Sequence, residues 1–440
     1  MRRLTILVAI VGGILLGLAI AGSQQIVYGQ AKRSQSIAAI PGEKGGWDIT
    51  GPYDVVLDWP KPMSQLPGHE KWTWGAVEGI FAENPNRIFI AQRGELPLLK
   101  RPAWVPIPQF GPSLSFPVAE VPFRNASQGP VGSLPGGGAP GQVPEESDTD
   151  WKGTKGVDAR WEHTLVVVDA EGKITEQWTQ WDSLFKRPHA IYINPYDLEK
   201  HVWVVDDYRQ VIFQFSSDGK RLTQTIGTLD QSGADDKHFN RPTFLAWLPD
   251  STMFVADGYN GSRIAKFDKN GKFLLAWGMK GDKPPIRSAE IGPPPENRPG
   301  YLSVPHGIAV DPVSRRVYVS DRGNRRMQVF DENGNFIDQW AFASPSNVNF
   351  LYMSADRYLW AFDDTTSKVV KYDLAGHFLY SWGSLGEWPG GLFNMHGATV
   401  DQQGNLYIAE VGNGRAQKFR PRRGANTDFF VGKPVYSAWK

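Results

Sequence analysis

The chain has 440 residues and a formal net charge of +1, with 21% charged and 41% hydrophobic residues. That balance excludes a strongly basic nucleic-acid binder, and the length allows one large domain or two to three ordinary ones. Cysteine is absent, which excludes disulfides, thiolate metal sites and a lipidated Cys. The 17 tryptophans and 47 glycines suit an all-β chain with many tight turns.

Residues 1–30 read as an export signal. Arg2 and Arg3 precede an apolar run from Leu4 to Ala21, and Ala19-Ile20-Ala21 offers a cleavage site. The run is also long enough to serve as an uncleaved N-terminal membrane anchor, the one membrane contact expected. Export without cysteine points to a secreted or periplasmic protein of a bacterial envelope.

Tyr53–Trp59 (YDVVLDW) is strand-like but has no repeat unit of its own. A first, irregular unit begins at Trp74 with AVEGIFAE and RIFIAQRG. Its next strands, HTLVVVD and KITEQWTQW, follow an insertion at about 96–160 that is rich in Pro and Gly. The insertion hangs beside Arg93, as a lid or as a decoration of the surface.

Regular units then open with RPHAIYINP at Arg187, RPTFLAWLP at Arg241, VPHGIAVDP at Val304 and NMHGATVDQ at Asn394. Each continues into a strand ending in an acid (VWVVDD, MFVADG, RVYVSD, LYIAEV) and then a third strand (VIFQF, RIAKF, MQVF, AQKF). Turns such as DKNGK and DENGN lead to a fourth strand ending near Trp or Gly. Ser346–Gly383 keeps the strands without an opening His, and a smaller Pro-rich insertion spans 280–299. Six four-stranded units of about 40–45 residues predict a six-bladed β-propeller over 53–420, followed by a tail at 421–440. The last unit lacks its outer strand. The orphan strand at 53–59 is expected to supply it, closing the ring and leaving no bare sheet edge, so a monomer is expected.

In such a ring the first strand of every blade lines the axis. His189, His306 and His396 hold one equivalent position in blades two, four and six. A lone His beside a strand start is ordinarily a polar turn residue. Three in register on alternate blades converge instead, and three imidazoles with an open fourth position are a catalytic zinc set. The other histidines (His69, His163, His201, His238, His377) share no such position and read as surface or loop residues. Arg93, Tyr259 and Arg322 follow the second strand of their blades, at the expected channel mouth. Arg suits a carboxylate, and a Tyr beside a dication suits a general base.

With these motifs in view, the repeats resemble NHL repeats, and the chain resembles the peptidyl-α-hydroxyglycine α-amidating lyases. The likeness rests on QRG at Arg93, PHA at His189, ADGYNGSRI around Tyr259, VPHG at His306, SDRGN at Arg322 and MHG at His396. It implies that the three histidines hold zinc and that Tyr259 is the base. It implies that Arg93 and Arg322 hold the substrate carboxylate or polarise the reacting group. The reaction implied is cleavage of an α-hydroxyglycine N–C bond to an amide and glyoxylate, on a small-molecule or peptide substrate with a terminal carboxylate. Gly397 stands where the family carries an Asp serving calcium, which puts calcium at that site in doubt. Asn260 follows Tyr259 where animal members carry a disulfide Cys, and no copper-monooxygenase motif occurs, so the hydroxyglycine would come from another source. Two other readings are a non-enzymatic NHL propeller binding a protein or glycan in the envelope, and a lactonase-like hydrolase. The latter class favours carboxylate and amide ligands, which the strand starts here do not offer.

Overall fold

The computed structural model describes residues 49–98, 104–106, 115–117, 160–282 and 295–435. The segment 1–30 and most of the two insertions lie outside the described residues. The chain forms six four-stranded antiparallel sheets arranged as a six-bladed propeller. Blade one is Val77–Asn84, Arg87–Gln92, Leu165–Val168 and Ile174–Gln177; blade two is Pro188–Ile193, Val202–Asp206, Val211–Phe215 and Leu222–Ile226. Blade three is Pro242–Trp247, Met253–Asp257, Arg263–Phe267 and Phe273–Trp277; blade four is Pro305–Val310, Val317–Asp321, Arg326–Phe330 and Phe336–Ala341. Blade five is Val348–Met353, Leu359–Asp363, Lys368–Tyr372 and Phe378–Trp382.

Blade six joins the two ends of the chain. Met395–Val400, Leu406–Glu410 and Arg415–Pro421 are completed by Tyr53–Val56, which pairs antiparallel from Tyr53↔Pro421 to Val56↔Lys418. This is the closure that the orphan strand suggested. Inner strands are sandwiched between blades and largely buried, along their whole length in Pro305–Val310 and Val317–Asp321. Outer strands such as Phe336–Ala341 face solvent. Sequence hydrophobicity follows that gradient, being continuous near the axis and broken at the rim.

In every blade but the first, the acid ending the second strand fastens the loop that enters the first strand; in blade one Gln92 does so through Gly75 N–H. The Asp206 carboxylate accepts the backbone N–H of Lys186 at 2.7 Å and of Arg187 at 3.0 Å. Asp257 accepts Asn240 N–H, Asp321 accepts Ser303 N–H and Glu410 accepts Phe393 N–H, each at 2.7 Å. Burial pushes Asp206 and Asp257 up to about 6. The Trp and Gly of the repeat meet between blades. A Cβ on Gly334 would lie 2.7 Å from the Trp277 ring, and one on Gly376 2.6 Å from the Trp340 ring, both at φ +84. The turn and the indole thus each require glycine.

Tyr53 is fully buried at the closure. Its ring sits edge-on to Phe430 at 5.2 Å, and its hydroxyl accepts Val431 N–H at 2.8 Å. Tyr53→Ala is expected to cost about 3–5 kcal/mol in urea unfolding. Tyr53→Phe, which strands only one buried N–H, should cost about 1–3 kcal/mol. Equal stability in all three proteins would show that the ring does not depend on this strand.

Candidate metal centre at the channel axis

The residue after the first pairing of each inner strand forms a belt around the axis: Glu78, His189, Thr243, His306, Asn349 and His396. Blades two, four and six contribute the imidazoles. Each following blade contributes the carbonyl that orients one. His189 Nδ1–H donates to Thr243 O at 3.0 Å, His306 Nδ1–H to Asn349 O at 2.8 Å, and His396 Nδ1–H to Glu78 O at 2.9 Å. A nitrogen that donates carries the proton, so every Nε2 is left with its lone pair. The rings stand 4.4–5.3 Å apart, and their ligand atoms lie within 4.8 Å of one another.

Phe244 forms the floor, with its ring 4.9 Å from that of His189, 5.1 Å from that of His306 and 5.2 Å from that of His396. At the opposite ends of the inner strands lies a separate, partly open apolar pocket, lined by Tyr192, Trp247, Phe350 and Tyr352 among others. Above the imidazoles, the Tyr259 hydroxyl is 3.1 Å from both His189 Nε2 and His306 Nε2. One hydroxyl proton can serve only one of those lone pairs. His396 Nε2 is buried and has no hydrogen-bond partner. Converging, unsatisfied imidazole lone pairs fit a divalent cation of the zinc class.

Three details differ from the sequence reading. Tyr259 lies one residue beyond the position held by Arg93 and Arg322; Gly258 occupies it, because a Cβ there would meet Pro305 O at 1.7 Å. Arg93 is almost fully enclosed and pairs with Glu78 Oε1 at 3.0 Å, while Glu78 Oε2 lies 3.2 Å from His396 Nδ1. Arg322 is the more accessible arginine, donating from Nε to Asn347 Oδ1 at 3.2 Å. Finally, His69 and His163 are not surface residues but are 8% and 3% exposed, because they flank the buried Glu95 carboxylate.

Sequence reasoning missed the support around Tyr259. Arg241 stacks on the Tyr259 ring at 4.6 Å and donates from Nε to the buried Asp207 Oδ2 at 3.0 Å. Arg187 lies over Tyr208 at 4.5 Å and within 5.7 Å of the Tyr259 ring. The paired Arg-Pro openings at 187–188 and 241–242 were the available signal. The residues entering the first strands at Arg241, Val304 and Asn394 have φ of +64, +50 and +52. Such values in non-glycine residues, one of them β-branched, mark strain at the approach to the axis.

The fold is a six-bladed propeller, and residues 302–330 match the NHL repeat. The chain is 33% identical over 188 residues to peptidyl-glycine alpha-amidating monooxygenase A of Xenopus laevis, covering 42% of this chain and 18% of that protein. It is 31% identical over 184 residues to peptidyl-alpha-hydroxyglycine alpha-amidating lyase 1 of Drosophila melanogaster, covering 41% and 31%. NHL repeat-containing protein 3 of Mus musculus is 26% identical over 262 residues, covering 55% and 69%. The chain therefore spans less than a third of the length of the first two relatives.

Burial is the main force on the three imidazoles and disfavours their charged form. His396 is pushed down to about 3, with Arg93, Arg322 and Arg187 adding to the burial. His189 is lowered well below the ordinary value by burial and by its two partner imidazoles, and His306 by burial and Arg322. The unfolded chain takes up protons near pH 6.5 that the folded axis refuses. Stability of chelator-treated protein is thus full above pH 6.5 and declines as pH falls toward 4. His396→Asn is expected to flatten that decline by about one proton's worth in urea unfolding across the range; an unchanged slope would mean the imidazole is not held neutral.

Proposed function

We propose that the protein is a metal-dependent carbon–nitrogen lyase acting on an α-hydroxyglycine-type substrate. The observation that carries this reading is the convergence of three imidazole Nε2 atoms with the Tyr259 hydroxyl, at an axis flanked by arginines. The partial likeness to proteins named for peptide α-amidation supports it. His189, His306 and His396 would hold the cation. When bound, a zinc-class cation supplies Lewis acidity that favours the ionised forms of nearby hydroxyl groups.

The remaining chemistry falls to the chain's own residues. Arg322 and Arg93 would orient the terminal carboxylate. Tyr259 would take the proton of the α-hydroxyl. Its phenol is raised by burial, while Arg187 and Arg322 oppose the rise. The hydroxyl oxygen then forms the carbonyl of glyoxylate as the C–N bond breaks toward nitrogen. That nitrogen gains a proton and leaves as the primary amide, so no water is consumed. Arg241 and Asp207 would hold the Tyr259 ring through this exchange. The N-terminal Arg2-Arg3 and apolar run support a site of action outside the cytoplasm.

Metal content and glyoxylate release from a hydroxyglycine peptide test the reading together. Wild-type protein is expected to bind a cation at the axis that His306→Ala loses, and to release glyoxylate. Tyr259→Phe should keep the cation while turnover falls by roughly 10²-fold or more. Arg322→Ala should raise KM by roughly 10–100-fold, the range of a lost charge-assisted hydrogen bond. Full turnover in Tyr259→Phe would remove it as the base. Absence of cation uptake at the axis would remove the lyase reading.

A further inference from the structure

A second ionisable cluster closes the neck of the blade-one insertion, and it shares no residue with the axis. His69 precedes the short strand Trp72–Trp74, which pairs with Glu95–Pro97 as the chain leaves the blade. Arg160 brings the chain back, exchanging backbone hydrogen bonds with Glu95 at 2.8 and 3.0 Å. Glu162 and His163 follow it. Two ends of a long excursion are thus held side by side.

The side chains there are unusually matched. Glu95 is fully buried, and its two carboxylate oxygens are divided between two imidazoles. His69 Nδ1–H donates to Oε2 at 2.7 Å and His163 Nδ1–H to Oε1 at 2.5 Å. The rings are 4.7 Å apart and nearly perpendicular. Donation from Nδ1 leaves a lone pair at His69 Nε2; at His163, burial is outweighed by the hydrogen bonds to Glu95 and Gln177, which raise its pKa and favour a proton on Nε2 as well. His69 Nε2 faces Glu162 Oε2 at 3.7 Å, too far for a hydrogen bond. His163 Nε2 faces the Gln177 side-chain oxygen at 2.9 Å. His69 Nε2 therefore looks onto an acceptor oxygen, and a cation bound at the cluster takes the place of the proton that His163 Nε2 donates to Gln177.

An electron-rich cluster of this kind calls for positive charge. The nearest guanidinium, Arg160, serves Glu162 Oε2 at 2.8 Å and the carbonyl of Gly68 at 2.9 Å, and leaves Glu95 to the imidazoles. His69, Glu162 and His163 each offer a ligand atom within 4.8 Å of the others. A carboxylate that orients two imidazoles from behind is a recurrent outer shell of metal sites, and a nitrogen–oxygen ligand set suits zinc-class divalent ions. Partial exposure of Glu162 gives the ion a way in.

We propose that His69, Glu162 and His163 form a second divalent-cation site, with Glu95 orienting both imidazoles, and that the bound ion clamps the two ends of the insertion. Binding draws Glu162 away from Arg160. The clamp lies close behind the channel, since Glu95 is two residues from Arg93, whose guanidinium meets Glu78 of the axial belt.

The test uses the full chain carrying His306→Ala, so that the axial set is broken. The protein is stripped with chelator, dialysed against zinc or cobalt, and assayed for bound metal. One equivalent is expected to remain, with a cobalt spectrum of mixed nitrogen and oxygen ligation. Adding His163→Gln should abolish it. Adding Glu162→Gln, a partly exposed change that leaves Glu95 in place, should weaken uptake at least tenfold. No uptake by His306→Ala, or undiminished uptake in both double variants, overturns the proposal. If the axial reading alone fails, wild-type protein binds one equivalent that responds to Glu162→Gln but not to His306→Ala.

Discussion

The pairing of Tyr53–Val56 with Arg415–Pro421 is the constraint on which the rest depends. A propeller fixes its axis only when its last blade meets its first. Here that blade is assembled from residues separated by nearly the whole described chain. The closing strand is anchored by a buried tyrosine whose hydroxyl reaches Val431. The axial belt inherits this closure directly, because His396 of blade six is oriented by Glu78 of blade one. An open ring would lose the carbonyl that sets one of the three tautomers.

Alternation explains why the belt works. Each imidazole sits between neighbours that are not imidazoles, and the blade after it lends a carbonyl to its Nδ1–H. Thr243 and Asn349 also serve the backbone of the next blade, through Thr243 Oγ1–H to His306 O at 2.9 Å and Asn349 Nδ2–H to Met395 O at 3.1 Å. The non-ligating positions are thus the struts of the ligating ones.

Much of this was legible in the sequence because a repeat multiplies weak signals. One His beside a Pro says little, but three at the same place in alternate units imply an axis. The acids ending the second strands were visible as a pattern, although their task of fastening the preceding loop was not. Single-copy features left no such trace. The one-residue displacement of Tyr259 depends on Gly258 passing under Pro305. Burial of His69 and His163 depends on the insertion returning beside its point of departure, a contact between distant segments that no period encodes. The Glu78–Arg93 pair escaped notice because the first blade is the irregular one.

The axis also shows what a functional arrangement withholds from stability. Burying three neutral imidazoles, with one Tyr259 proton shared between His189 and His306 and none for His396 Nε2, forgoes hydrogen bonds that water would give them. Left-handed φ at Val304 and Asn394, two residues ahead of His306 and His396, adds backbone strain. Neither feature helps the propeller to fold, and blade five, with Asn349 at the same position, builds an equivalent sheet without an imidazole. The buried imidazoles occur on three blades of six, and those three are the ones whose side chains meet. Three buried imidazoles gathered at a single point, one of them with an unpartnered Nε2, are what a site selected for binding leaves behind.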